Sequence, residues 1–274
     1  MARKRLTERF PFLIPIRTWQ RRLFFYTAMR FDKNTYCKKF APPLHNLVCK
    51  SSAPLRNTET GFNMIYQENK IFNLKLAAKA MNGIIIKPGE TFSFCKSVKN
   101  ADKKTPYRDG LVMMNGKLTP SYGGGMCQMT DLIFTLFLHS PLTVTERHGH
   151  KIKDFPDLEE SGAAKGTDAT VFEGWLDLKA KNTSAQTFQL CFEFSENTVT
   201  GFLLSDFPAA FDYEIANGRV FYEKKNGETF EHAEVIQRRL LKSTGELQSQ
   251  QLLYTNICKL NYPISAEEDK NETA

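Results

Sequence analysis

Alternation of apolar and polar residues dominates the second half of the chain and limits the folds open to it. The segments WLDLKAKN, TFQLCFEF and TVTGFLLSD, between residues 175 and 206, alternate with a period of two and are separated by polar turns. This period is typical of strands that bury one face, and short consecutive strands pair antiparallel. Similar segments continue to about Cys258. We therefore expect a mainly antiparallel β second half.

The first half mixes helical and extended patterns. Apolar residues at helical spacing predict a helix over Glu68–Met81, which ends at Asn82-Gly83, and a second stripe predicts another helix around Met129–Phe137. Short strands are predicted between them, and Asn115-Gly116 is a strong hairpin signal. Helices and strands followed by strands alone indicate an α+β fold.

Charge and composition divide the chain further. Of the net charge of +7, residues 1–40 carry +9 and the remainder −2, so the basic character belongs to the N-terminus. The body therefore offers no basic groove for nucleic acid, and no nucleic-acid-binding motif is present. From these patterns we predict a basic amphipathic arm (1–40), a linker (41–60), a main domain (61–190), a β-rich extension of the same globule (191–262) and an acidic tail (263–274).

The N-terminal arm has two interpretations. From about Thr18, the spacing of Trp19, Leu23 and Tyr26 predicts a helix with basic neighbours, which could lie on an anionic membrane surface or pack on the rest of the protein. We find no signal peptide and no apolar run long enough to span a membrane. The expected location is cytoplasmic, at most peripheral on the inner membrane face, so we expect reduced thiols. Without a CxxC pair, we expect no structural zinc and no other cofactor.

The most informative local segment is SYGGGMCQMTDL, Ser121–Leu132. Gly123, Gly124 and Gly125 allow a sharp turn that feeds a helix, and Cys127 falls in the first helical turn. There, free backbone N–H groups and the helix dipole favour a thiolate and could stabilise an oxyanion. On a helical wheel, Cys127 lies roughly opposite the apolar stripe. A nucleophile is thus one interpretation, and an ordinary buried cysteine is the other.

The segment ERHGH supplies candidate bases for Cys127. His148 and His150 are two residues apart and on a strand would share one face. One could deprotonate Cys127 while the other binds substrate; a metal pair and two exposed histidines are the alternatives. Asp168 is our choice to orient the histidine, with Asp131 and Glu146 as rivals. The substrate would be bound by the turn and its neighbours, Tyr122, Gly123, Gly124, Gly125, Gln128 and Arg147.

Five segments, in this order, resemble the VanW family between about residues 60 and 190. They are KPGETFSF (87–94), YRDGLVMMNGKL (107–118), YGGGMCQMTDLIF (122–134), ERHGHKIKDFP (146–156) and GTDATVFEGWLDLKAKN (166–182). The opening of the chain and the WLDL region are also similar to the short, stand-alone members that accompany vanB-type vancomycin resistance.

The resemblance implies an accessory role in glycopeptide resistance, on peptidoglycan or its precursors. Some longer, exported proteins with this domain look like L,D-transpeptidases that work through a cysteine, and their motif matches Gly123–Gln128, so the nucleophile maps to Cys127. Its partner would be a peptidoglycan stem peptide or a lipid-linked precursor. This chain departs from them in lacking an export signal and in having Met129-Thr130-Asp131 after Cys-Gln. A non-catalytic binding module and a membrane-peripheral scaffold remain as alternatives.

Overall fold

The computed structural model describes residues 10–114, 117–153 and 164–264, and it has the expected α+β fold. Two of the predicted features lie outside the described residues: the Asn115-Gly116 turn and the acidic tail from residue 265 onward. In the part that is described, the predicted order is confirmed, with helices and short strands first and long antiparallel strands last.

The three longer of the described helices lie close to where helical spacing predicts them, whereas a short helix at Phe94–Val98 begins within a segment that was expected to be extended. Short 3₁₀ turns at Pro11–Leu13 and Thr58–Thr60 accompany four α-helices: α1 (Ile14–Phe31), α2 (Ile65–Met81), α3 (Phe94–Val98) and α4 (Met126–Leu138). Pro15 occupies the first turn of α1, where its missing N–H costs no helical hydrogen bond. Ser93 caps α3 by accepting a hydrogen bond from the Lys96 N–H at 3.1 Å.

The described strands form three four-stranded sheets and one hairpin. The strands are β1 Thr35–Tyr36, β2 Asn46–Pro54, β3 Ile84–Ile86, β4 Glu90–Ser93, β5 Asp109–Met114, β6 Lys117–Tyr122, β7 Thr143–Glu146, β8 Ile152–Lys153, β9 Lys179–Lys181, β10 Phe188–Phe194, β11 Thr198–Ser205, β12 Phe211–Lys225, β13 Glu228–Leu241 and β14 Leu247–Leu260. The first sheet has the order β1-β4-β9-β7, and the third has the order β12-β13-β14-β8. The second, which we call the central sheet, has the order β2-β11-β10-β3, while β5 and β6 form the hairpin. The β1–β4 and β14–β8 pairs are parallel and the others antiparallel.

The main core forms where α4 packs on the central sheet. The predicted stripe of α4 is fully buried: Met129, Leu132, Ile133, Leu136 and Phe137. The helix approaches β11 at Gly201, where an added Cβ would lie 3.0 Å from Leu136 Cδ1. Because the stripe faces the sheet, the opposite side of the first helical turn, which carries Cys127, is left free of the core.

Two of the predicted boundaries are wrong. Residues 41–60 are not a linker, because β2 pairs with β11 along most of its length and closes one edge of the central sheet. The Pro and Ser content misled the prediction, since an edge strand tolerates proline. The boundary at 190/191 falls inside β10, whose Leu190 and Phe192 belong to the main core. The β-rich second half therefore shares this core.

Helix α1 packs on the body through one face and exposes the other. Arg22 forms an ion pair with Glu173, Tyr26 donates a hydrogen bond to the same carboxylate at 2.7 Å, and Met29 is buried. Trp19 and Leu23 are exposed. The helix thus packs on the body through one face, as one of the two interpretations predicted, and its binding to a membrane surface stays a prediction. Within the described residues, no helix is long and apolar enough to cross a membrane.

Truncation of the central sheet should test the shared core. Leu203→Ala in β11 removes a side chain that is fully buried, so we expect the free energy of unfolding to fall by about 2–5 kcal/mol. Leu252→Ala in β14 removes an exposed leucine and should change it by less than about 0.5 kcal/mol. Urea denaturation measures both; equal losses would contradict this placement of the core.

Candidate functional site

A glycine turn connects the β5–β6 hairpin to α4. Gly123 and Gly125 have positive φ angles of 71° and 100°, which side chains rarely allow. Gly124 lies against Gly110 of β5, and a Cβ at Gly124 would overlap the Gly110 carbonyl group. The three glycines thus serve different purposes: two supply unusual backbone angles and one permits close approach.

Asn73 of α2 holds this turn in place from within the core. Its side chain donates to the carbonyl oxygens of Arg108 at 2.9 Å and Gly124 at 3.0 Å, and accepts from the Arg108 N–H at 2.8 Å. The residue is completely buried. An amide in this position satisfies backbone groups that would otherwise be buried without partners. A signal for this role is present in the sequence but was missed, since Asn73 is a polar residue within the apolar pattern of α2.

Cys127 lies in the first turn of α4, outside the buried core. Gly125 is the N-cap, so the N–H groups of Met126 and Cys127 have no helical acceptor, whereas the Gln128 N–H donates to the Gly125 carbonyl oxygen at 3.1 Å. The Cys127 Sγ atom is 3.1 Å from Thr170 Oγ1. This placement agrees with the predicted position opposite the apolar stripe. Cys127 is not among the buried core residues, so the structure does not support a core-filling cysteine.

His150 lies between Cys127 and Asp168. Its Nδ1 is 2.6 Å from Asp168 Oδ2, and its backbone N–H donates to the same oxygen at 2.6 Å. Hydrogen bonds with Asp168 and then with Cys127 raise the pKa of His150 to about 10, against the opposing effect of burial. The imidazole therefore carries its proton at neutral pH. A thiol, an imidazole and a carboxylate thus interact in sequence.

Asp168 stays ionised although it is partly buried. Burial alone would raise its pKa, but the hydrogen bond from His150 and the charge of Arg147 hold the pKa below its usual value. Arg147 donates from Nη2 to Asp168 Oδ1 at 2.8 Å and from Nε to the Asp168 carbonyl oxygen at 2.6 Å. Arg147, predicted to line the substrate pocket, instead supports the carboxylate.

Thr130 and Asp131 fasten the loop that carries Asp168 and Thr170 to α4. Thr130 Oγ1 donates to the Ala169 carbonyl oxygen at 2.6 Å, and Asp131 Oδ1 accepts from the Ala169 N–H at 2.6 Å. Burial raises the pKa of Asp131 to about 7. Asp131, a rival for orienting the histidine, therefore positions the loop by accepting a hydrogen bond from its backbone.

His148 belongs to a different network from His150. Its Nε2 is 3.1 Å from Glu146 Oε1, and Glu146 also pairs with Lys179 at 2.9 Å. Strand β7 ends at Glu146, so the alternation that would have placed both histidines on one face does not continue to residue 150. Among the described hydrogen bonds, none joins His148 or Glu146 to Cys127.

Three further side chains surround the turn. Tyr122 donates to Asp102 at 2.9 Å, and Gln128 donates to the Pro54 carbonyl oxygen at 2.5 Å. Tyr107, which we did not single out from the sequence, packs against Gly123, and its buried hydroxyl has no hydrogen-bond partner in the described chain. Of the three, Tyr107 therefore offers a free polar group at the turn.

Lys70 of α2 is a second residue that sequence reasoning missed. Its aliphatic stem fills the space where a Cβ of Gly125 would lie. Burial lowers the pKa of its ammonium group to about 8. A cation is thus held near the N-terminus of α4. Within the described residues, no group of three or more His, Cys, Asp or Glu side chains is arranged to hold a metal ion.

Comparison with known proteins supports the resemblance seen in the motifs. The sequence model of the "VanW like protein" family matches residues 69–204. The chain is 48% identical over 273 residues, covering 99% of both chains, to "Vancomycin B-type resistance protein VanW" of Enterococcus faecalis. It is 29% identical over 115 residues, 42% of this chain and 36% of the relative, to "Uncharacterized protein YoaR" of Bacillus subtilis. No solved structure gives a significant match.

Substitution at the glycine turn should separate close packing from backbone angle. Gly124→Ala would force Gly110 and Gly124 apart, and we expect it to cost more than about 2 kcal/mol of unfolding free energy. Gly89→Ala is the control, since its φ is 78° and nothing lies near an added Cβ, so only about 1–2 kcal/mol of backbone strain arises. Thermal and urea unfolding measure both; a Gly124→Ala variant as stable as wild type would contradict the close contact.

The protonation of His150 can be followed by NMR. The imidazole should titrate near pH 10 in the folded protein, and Asp168→Asn should move the pKa down toward the ordinary value of about 6.5. Because the pKa is raised by folding, this interaction stabilises the protein fully below about pH 6.5 and is lost as pH rises through about 10. Proton–carbon spectra of the five histidines, assigned with His150→Gln, give the curves. A wild-type pKa near 6.5 would contradict the arrangement.

Proposed function

This chain belongs to the VanW family, and we propose that it is a cysteine-dependent acyl transferase acting on peptidoglycan stem peptides or their lipid-linked precursors. The observation that carries the proposal is the placement of His150 between Cys127 and Asp168. A nucleophile, a proton carrier and an orienting carboxylate are the parts that acyl transfer through a cysteine requires. The relative named for vancomycin resistance supports a cell-wall substrate.

The first half-reaction forms a thioester. The Cys127 thiolate attacks the carbonyl carbon of an amide, a C–S bond forms and the carbonyl π electrons move to oxygen. The N–H groups of Met126 and Cys127, which have no helical acceptor, suit this oxyanion. The intermediate then collapses, the C–N bond breaks, and the proton on His150 passes to the leaving amine.

The second half-reaction returns the site to its starting state. Neutral His150 takes a proton from an incoming amine, which attacks the thioester carbonyl. A new C–N bond forms, the C–S bond breaks, and Cys127 leaves as a thiolate beside a protonated His150. If water attacks instead of the amine, the same proton transfers give hydrolysis. Asp168 keeps the imidazole oriented throughout and carries no proton itself.

The surroundings of the other five cysteines favour Cys127 as the reactive thiol. Burial is the leading cause that raises the thiol pKa of each of them, to about 12 for Cys37, Cys49 and Cys258, well above the ordinary value for Cys95, and also upward for Cys191. Raised pKa values keep these thiols protonated and slow as nucleophiles. A thiol reagent can therefore distinguish Cys127 from the rest of the chain.

Trapping of the acyl-enzyme tests the proposal. We expect a stem tetrapeptide to add to the wild-type protein with loss of its terminal D-alanine, and peptide mapping to place the adduct on Cys127. His150→Ala should slow adduct formation by about 10²–10⁴-fold, the usual contribution of a positioned proton carrier. Intact-protein mass spectrometry at successive times gives both rates.

Two controls make the trapping result decisive. Cys127→Ala should form no adduct, whereas Cys191→Ala, which removes a cysteine of β10 remote in sequence from the site, should react like wild type. Alkylation with iodoacetamide should label Cys127 first in the folded protein. Binding of the peptide without an adduct would refute acyl transfer and favour the alternative, a module that only binds the stem peptide.

A further inference from the structure

The surface formed by α1 and the loop at residues 172–175 is unusually apolar for a part of the molecule that the body does not cover. Its exposed apolar side chains include Phe12, Ile16, Trp19, Leu23, Phe24 and Trp175. Together with the exposed Arg17 and Arg30, we call this surface the aromatic-basic face. Relative exposure reaches 67% for Phe24, 64% for Trp19 and 57% for Trp175. Ile16, Trp19 and Leu23 follow helical spacing and so share one side of α1, and exposed apolar surface of this kind marks a site of interaction.

The face is held rigidly on the body, so its exposure does not come from a detached helix. Arg22 and Tyr26 both bind Glu173, and Tyr26 also donates to the Cys95 carbonyl oxygen at 3.1 Å. The guanidinium of Arg21 lies 4.0 Å from the centre of the Trp175 ring. These contacts join α1 to the 172–175 loop and leave the opposite side of the helix in solvent.

The charge of this face selects its partner. Helix α1 contains four arginines and no acidic residue, and residues 1–40 carry +9 while the rest of the chain carries −2. Arg17 and Arg30 are exposed on the helix among the apolar side chains. Because both would be positively charged, the same face on a second copy of the protein would be repelled. Aromatic and aliphatic side chains beside arginines match an anionic lipid surface, where rings enter the interface and bases meet headgroups.

We propose that the aromatic-basic face binds an anionic lipid bilayer and so presents Cys127 to substrates that are anchored in lipid. Thr170, which contacts Cys127 Sγ, is two residues before Phe172 on the same loop. Trp175 is five residues beyond Thr170, at most about 18 Å away even if the chain were fully extended. The substrate class, a lipid-linked stem peptide instead of a free one, rests on the proposed function; binding to the bilayer does not.

Vesicle binding tests the face directly, and the protein carries its own reporter. Its only two tryptophans, Trp19 and Trp175, both lie on the face. With phosphatidylglycerol vesicles we expect a blue shift of tryptophan fluorescence and co-sedimentation of the full chain. With phosphatidylcholine vesicles we expect at least about tenfold weaker binding, since the electrostatic attraction is missing.

Matched variants assign the binding to the face. Trp19→Gln/Leu23→Gln/Phe24→Gln should weaken binding to phosphatidylglycerol vesicles by at least about tenfold, with Trp175 remaining as the reporter. The control is Leu247→Gln/Leu252→Gln/Ile257→Gln, three similarly exposed apolar residues of β14, and should bind like wild type. Arg17→Gln/Arg30→Gln leaves the apolar residues in place and should also weaken binding, an effect that added salt reproduces.

The outcomes separate this inference from the proposed chemistry. Cys127→Ala should bind vesicles like wild type. In wild type, a stem tetrapeptide attached to a lipid anchor in the vesicles should form the adduct at least about tenfold faster than the free peptide, and the Trp19 triple variant should lose only that advantage. Equal binding by the two triple variants, or no binding to phosphatidylglycerol, would overturn the inference and leave a protein partner for the face. Vesicle binding without any adduct from either peptide would refute the transferase but support the face.

Discussion

The geometry of the site depends on the hydrogen bonds that the guanidinium of Arg147 makes. Besides its two bonds to Asp168, it donates to the Gly166 carbonyl oxygen at 2.8 Å and to Asn256 Oδ1 at 2.9 Å, and it stacks near the ring of Tyr254. Its side chain is only 11% exposed. Burying a charge is costly unless it is paired and hydrogen-bonded, and here the partners come from two separate segments. Removing the guanidinium would leave Asp168 with the His150 imidazolium as its remaining cationic partner in the site.

This contact also explains why the β-rich second half is part of the working unit. Asn256 and Tyr254 belong to β14, while Gly166 and Asp168 belong to the loop that Thr130 and Asp131 hold on α4. The loop is therefore held by hydrogen bonds on two sides, to the first turns of α4 and, directly and through Arg147, to β14. A site assembled only from residues 61–190 would lack one of these supports.

The sequence predicted the parts of this protein that follow from local periodicity. The α4 stripe, the turn glycines and the position of Cys127 outside the core all arise from spacing within a few residues. Asp168 was chosen over Asp131 and Glu146 for its place just after a glycine-containing loop, and the structure places its carboxylate 2.6 Å from His150 Nδ1. The sequence did not separate His148 from His150, since that choice depends on where β7 ends and on Glu146 competing for the first imidazole.

Longer-range packing accounts for the other errors. Arg147 and Asp131 were correctly singled out as polar residues near the site, but their contacts with Asp168 and Ala169 require the folded loop. Residues 41–60 contain three prolines and several small polar residues that suggest a linker, and only pairing with β11 makes residues 46–54 a strand. Asn73 and Lys70 lie more than fifty residues before Cys127, so nothing local connects them to it.

The raised pKa of His150 suits both halves of an acyl transfer. At neutral pH the resting imidazole is already protonated, so it can act as the acid when an amine leaves. Two neighbours raise its pKa: Asp168, which remains, and Cys127, which is consumed when a thioester forms. In the proposed transfer, acylation would remove one of the interactions that raise the pKa of His150, which favours a neutral imidazole at the stage where a base is needed. The same residue would then serve as acid before the thioester and as base after it.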